Sequence, residues 1–186
     1  TDALADLYKE ARQAQLAGDL KTATENYKRI VTLRPDMAEA HANLGVLFYQ
    51  QKQWEPALKA FKKAIQLKPD MAGPYFFLGV LSFNGRNYAE ASLYLEKAEA
   101  QDPSNFAIQL YSGYNHYARA NYLNATRHFE KAVSLDGSDL DAVYHLSKSY
   151  GHLSRKFFDD LHKTHRDSFQ TSLARAHFYE AEQNWE

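Results

Sequence analysis

Residues 38–71 read AEAHANLGVLFYQQKQWEPALKAFKKAIQLKPDM, and the fold of the whole chain follows from this stretch. Its apolar residues recur at three- and four-residue steps, in Leu44 and Phe48 and again in Ala57, Phe61 and Ala64. That spacing predicts two short amphipathic helices separated by a short polar break. Gly45 falls inside the first helix, where glycine costs about 1 kcal/mol relative to alanine. A packing reason is therefore expected: a bare backbone lets the second helix, with its small Ala57 and Ala64, come close. Pro69 ends the second helix because it cannot continue it.

The same columns appear on both sides of this stretch. Gly45, Gly79 and Gly113 stand 34 residues apart, as do Pro35, Pro69 and Pro103. Ala57, Ala91 and Ala125 keep that step, and so do Ala64, Ala98 and Ala132. Trp54, Tyr88 and Tyr122 put an aromatic ring at one shared place, while Tyr27, Phe61, Leu95 and Phe129 put a large apolar side chain at another. A fixed period of this length means stacked supersecondary units, each burying a face that it could not bury alone. Asp36 and Asp70, and Ser104 with Asn105, stand where they can cap the helix that follows each proline.

These columns resemble the tetratricopeptide repeat family. The resemblance implies an all-α fold, a right-handed α-α superhelix of stacked helix-turn-helix hairpins. Units are expected at about 4–37, 38–71, 72–105 and 106–139, with an irregular stretch at 140–168 and a half unit at 169–186, all in a single array. Residues 38–71 match the family's pattern except that His41 replaces the usual large aromatic, and Gly137 stands where the fourth unit should have proline. In the first unit Glu10-Ala11 replaces Leu-Gly. In 140–168 the hairpin break is missing, so two helices are expected to be shortened or fused. Tyr179 and Trp185 restore the register for a last first helix. Thr1 in place of Met, and a stop at Glu186 where that helix's partner should begin, lead to the expectation of a fragment of a longer protein with an uncovered apolar face.

Bulk properties narrow the function. With 22 basic and 23 acidic residues the formal net charge is -1, which offers no broad field to nucleic acid or an anionic membrane. No apolar run approaches the roughly 18 to 20 residues that span a bilayer. The absence of cysteine excludes disulfide and thiolate chemistry and fits either redox compartment, so cytoplasmic and exported locations are both compatible. Tyr and Phe are abundant, at 13 and 11 copies.

Residues 73–83, GPYFFLGVLSF, show where such rings go. Tyr75, Leu78, Gly79 and Ser82 form one helical stripe, and Gly73, Phe76, Val80 and Phe83 form another about 100° round the helix. The first stripe serves packing within the repeat. The family resemblance places the second on the concave side, where first helices line a groove. Corresponding positions name a candidate partner-binding set: Tyr49, Phe76, Phe77, Phe83, Tyr111, Tyr114, Tyr117 and Tyr144, with Arg12, Asn43, His145 and Lys148 at its edges. Two readings stay open, rings spent on packing between repeats and rings exposed for a ligand.

Catalytic and metal chemistry find little support. His162 and His165, with Asp159 and Asp160, come nearest to ligand spacing but lie in a polar, irregular stretch. No phosphate-binding glycine loop, nucleophile elbow or zinc-protease helix appears. Asn124-Ala125-Thr126 is a lone glycosylation-type triplet. No cofactor is implied. The family's carboxylate clamp would place Lys or Asn where Tyr8 and Arg12 stand and basic residues at Gly73 and Phe77; only Asn43 agrees. The reading is a non-enzymatic protein-protein interaction scaffold for a protein or peptide segment, with no nucleic acid and no membrane span. Alternatives are a recruiting domain of a larger enzyme or secretion assembly, or a module that forms homo-oligomers through its last helix.

Overall fold

A computed structural model describes residues 3–165, 168, 170–174 and 177. The expected half unit at 169–186, with Tyr179 and Trp185, lies mostly outside the described residues. The helices described from end to end are α1 (Ala3–Leu16), α2 (Leu20–Leu33), α3 (Ala38–Gln50), α4 (Trp54–Leu67), α5 (Ala72–Asn84), α6 (Tyr88–Gln101), α7 (Phe106–Ala118), α8 (Tyr122–Leu135) and α9 (Leu140–Thr164), and residues 170–174 are helical as well. The first eight pair as four hairpins, and each hairpin packs on the next through α2 with α3, α4 with α5, and α6 with α7.

Packing within a hairpin rests on the glycine columns. A Cβ built on Gly45 would lie 2.6 Å from Phe61, one on Gly79 2.7 Å from Leu95, and one on Gly113 2.5 Å from Phe129. All three partners are buried on the second helix, so the bare backbone admits a large side chain where any Cβ would collide.

The turns inside the hairpins recur with the same period. Gly18, Lys52, Arg86 and Ala120 all have positive φ, between 55° and 76°. The residue after each donates its N–H to the carbonyl five positions back, as in Gln53 to Phe48 (2.8 Å) and Asn121 to His116 (2.9 Å). This is the Schellman closure, which normally selects glycine at the left-handed residue. Only the first hairpin has glycine there; the other three hold a side chain in a conformation disfavoured by about 1–2 kcal/mol.

Caps between hairpins differ from expectation. Asn105 caps α7 by accepting from Ile108 N at 3.3 Å. Asp36 and Asp70 do not cap: Met37 and Met71 are the N-cap residues, without a side-chain bond. Asp36 lies one position too early and pairs with Arg34 at 2.9 Å instead. Asp19 and Asp139 do cap, at 3.0 Å to Thr22 N and 2.8 Å to Ala142 N.

Curvature follows from which helices meet across hairpins. The backbones of α3 and α5, of α5 and α7, and of α7 and α9 approach within 8 Å between Cα atoms, whereas those of α2, α4, α6 and α8 do not approach one another so closely. The first helices therefore lie on the inner side of the stack. α9 is a single helix of 25 residues. Ser154, one period beyond Ala120, lies within it, so the chain runs straight where the earlier hairpins reverse.

Candidate functional site

The inner side of the stack begins at a hydrogen-bonded corner. Asn43 donates from Nδ2 to the hydroxyls of Tyr8 (3.2 Å) and Tyr27 (3.1 Å), tying α1, α2 and α3 together. Burial, with a smaller push from the neighbouring Tyr8, raises the Tyr27 phenol to about 12. Beside this corner lies a pocket of about 430 Å³ lined by Tyr8, Arg12, Tyr27, Glu39, Ala42 and Asn43, among others. Arg12 is exposed at this pocket.

From α3 onward aromatic side chains form an unbroken series. Tyr49 meets Phe77 at 5.1 Å between ring centroids, Phe77 meets Phe76 at 5.3 Å, and Phe76 meets Tyr111 at 5.6 Å. Tyr111 meets Phe83 at 6.1 Å and Tyr114 at 5.6 Å. Tyr114 then meets His145 at 4.9 Å, and His145 meets Tyr144 at 5.1 Å. Tyr117 reaches His145 at 6.1 Å and His152 at 5.5 Å. Most contacts are edge to face, the arrangement favoured by ring quadrupoles.

Within this series the candidate residues divide by role. Phe77 stacks parallel on the buried Phe61 at 5.0 Å, and Tyr114 sits 5.5 Å from the buried Phe129, so both double as packing rings. Tyr49, Phe76, Phe83, Tyr111 and Tyr117 are half-buried, each with part of its ring open. Burial raises the Tyr49 phenol. Tyr144 is 54% exposed, with the Lys148 ammonium 5.3 Å from its ring centre. The stripe is narrower than expected at one place: Val80 is buried, because α5 is flanked by both α3 and α7.

Polar contacts hold the C-terminal end. Tyr114 donates its hydroxyl to Asp141 in a short hydrogen bond. His145 Nδ1 lies 2.9 Å from the Asp141 carbonyl and 3.2 Å from its carboxylate. Tyr117 OH lies 2.9 Å from His152 Nε2, and that imidazole stacks on Tyr122 at 4.2 Å.

One repeated feature escaped the reading of single residues. Tyr49 packs on Trp54 at 5.5 Å, Phe83 on Tyr88 at 5.7 Å and Tyr117 on Tyr122 at 5.4 Å. Each pair joins the end of a first helix to the start of its second, so these groove-side rings are anchored in the same way in three hairpins. Two aromatic columns five residues apart carried the signal.

Among the described residues no group of three or more His, Cys, Asp or Glu is placed to hold a metal ion. No described helix is long and apolar enough to cross a membrane.

Stacked hairpins whose first helices line the inner side define a helical-repeat solenoid. The profile of the family described as Tetratricopeptide repeat matches residues 38–71, and the flanking hairpins repeat the geometry of that unit, so the fold is a solenoid of tetratricopeptide-type hairpins. No protein of curated function matches the chain. Solved structures share its fold. MamA from Desulfovibrio magneticus RS-1 (residues 41 to the end) superposes with a TM-score of 0.72 at 17% identity, covering 90% of this chain and 99% of that one. YrrB, described as a TPR protein with an unusual peptide-binding site, gives 0.68 at 17%, covering 89% and 88%. The first TPR of Spaghetti (RPAP3), bound to the HSP90 peptide SRMEEVD, gives 0.60 at 18%, covering 63% and 93%.

Proposed function

We propose that this chain is a non-catalytic scaffold that holds an extended or helical segment of another protein against the inner face of its first helices. The observation that carries the reading is the continuous series of rings from Tyr49 to Tyr144, which crosses four first helices and reaches the last of them through His145 beside the Asp141 carboxylate. Rigid aromatic side chains give large contact area for little lost conformational freedom, which is why Tyr and Trp dominate binding hot spots. Peptide binding by YrrB and by the RPAP3 repeat, which share this fold, supports the same use here. The ligand's chemistry differs from an acidic tail: Gly73 and Phe77 stand where the carboxylate clamp needs cations. Arg12 and Lys148 supply charge only at the two ends.

The test uses Tyr111→Ala with Tyr144→Ala, because these rings touch neither Phe61 nor Phe129. A partner is recovered by affinity capture and identified, and its binding segment is then titrated calorimetrically against both proteins. Loss of at least about 2 kcal/mol, roughly 30-fold in Kd, is expected for the double variant. Equal affinity for both proteins refutes the assignment.

A further inference from the structure

The outer side of α7 breaks the pattern of the repeat. At the columns where the preceding hairpins hold Leu44 and Leu78, Leu47 and Leu81, and Phe48 and Ser82, this helix carries Ser112, Asn115 and His116. Gln109 stands at the place of Tyr75, and His128 of α8 at the places of Ala60 and Tyr94. In this layer a polar joint between α6, α7 and α8 lies beside the buried apolar side chains Leu95, Ile108 and Phe129.

Its contacts are specific. His116 and His128 stack at 5.2 Å with their planes 10° apart. His128 Nδ1 lies 2.9 Å from Gln109 Oε1, and since that oxygen accepts, the ring donates. The Gln109 amide in turn donates to Glu99 (3.1 Å) and to the Pro103 carbonyl (2.9 Å). Asn115 and Arg119 both donate to Ser92 Oγ, at 2.8 Å and 2.7 Å. Among the described residues Ser112 Oγ, Asn115 Oδ1 and His116 Nδ1 are buried with no hydrogen-bond partner from the protein.

We propose that the stacked His116–His128 pair is an acid-sensitive latch: neutral, it packs α7 between α6 and α8; protonated, it drives that joint apart. Two imidazolium rings at this separation repel one another in a half-buried site, and a protonated pair is poorly compensated there. The charged groups facing the pair are Glu96 and Glu99 from α6, Arg119 at the C-cap of α7 and Lys131 from α8. Lys131 is already engaged with Glu99 at 2.7 Å. α9 packs on the far side, where Asp141 and His145 meet Tyr114 instead. Burial lowers both imidazoles, Arg119 adding to the effect at His116 and Glu99 opposing it at both. Burial alone pushes Glu99 up, but hydrogen bonds from Lys131 and Gln109 outweigh it and keep this carboxylate ionised through the histidine range.

The sign is fixed by these directions. An imidazole lowered in the folded state binds its proton more readily when unfolded, so stability is unaffected well above about pH 6.5 and falls as pH drops through that value toward the folded pKa values. α7 carries Tyr111, Tyr114 and Tyr117 on its opposite side, so the latch also sets the footing of the inner face.

The experiment measures urea unfolding of the whole chain at about pH 7.5 and about pH 5.5, on either side of the ordinary imidazole value. The parent is compared with His116→Phe plus His128→Ala, which restores the side chains found at Phe48 and Ala60. The parent's folding equilibrium is expected to weaken over this interval by up to about tenfold for each lowered histidine, and the variant's to change much less. An equal pH response in both proteins overturns the proposal. If the variant does not fold, the imidazole Cε1 proton shifts of the parent decide: midpoints for His116 and His128 below about 6.5 support the latch, and ordinary midpoints overturn it.

Discussion

Replacing glycine by alanine at two helical positions should move stability in opposite directions. At Gly113 the new Cβ lies 2.5 Å from Phe129 Cε1, 2.6 Å from Cδ1 and 2.9 Å from Cζ. Carbon atoms pack best about 3.5–4.0 Å apart, so the ring must retreat by about 1 Å. It has little room, being fully buried with Tyr114 at 5.5 Å and His145 at 5.7 Å. Overpacking of this kind costs about 1–3 kcal/mol, while alanine's better helix propensity returns about 1 kcal/mol. The net effect at Gly113→Ala is a loss of up to about 2 kcal/mol. At Gly151, exposed within α9, a Cβ meets nothing within 4 Å, so Gly151→Ala gains about 1 kcal/mol from propensity alone. Thermal unfolding followed by far-ultraviolet circular dichroism resolves the two, at about 2–4 °C per kcal/mol for a chain of this size. Because stacked repeats need not unfold in one step, the same melts are repeated in urea and compared at the midpoint. A Gly113→Ala protein that melts above the parent refutes the packing argument for all three glycines of this column.

Two further outcomes follow from local geometry. Ala120 holds φ at 55° in the turn between α7 and α8, so Ala120→Gly should raise stability by up to about 1 kcal/mol after glycine's own entropy is deducted; a lower unfolding midpoint contradicts the strain assigned to that turn. Tyr27, raised to about 12, keeps its proton while ordinary phenols ionise near 10, so its contribution to stability is complete below about pH 10 and is lost as pH rises toward 12. In an ultraviolet titration Tyr27→Phe should remove the late-ionising phenol; an unchanged high-pH limb is inconsistent with its burial.

The period of 34 residues was legible because each column repeats a demand of the backbone: glycine where a ring must enter, alanine where helices cross, proline where a helix stops. Hairpin turns were less legible, since Lys52, Arg86 and Ala120 show no preference for positive φ and are held there by the Schellman closure that the packed helices impose. Asp36 looked like a cap by composition, yet its place one residue before Met37 gave it to Arg34. For the candidate site, the sequence named the rings but could not divide them. Phe76 and Phe77 are neighbours in the chain, and only the position of Phe61 separates the ring that stacks on the core from the one that leads to Tyr111.

The sequence by itself thus determined the repeat and the helical hairpins, because each depends on side chains three, four or 34 positions apart in one chain. Tertiary structure alone decided which rings are spent on packing and where the polar joint behind α7 lies. Those outcomes depend on helices from different hairpins meeting, as His116 meets His128 and as Gln109 bridges Glu99 to it, and contacts between elements carry no fixed spacing along the chain.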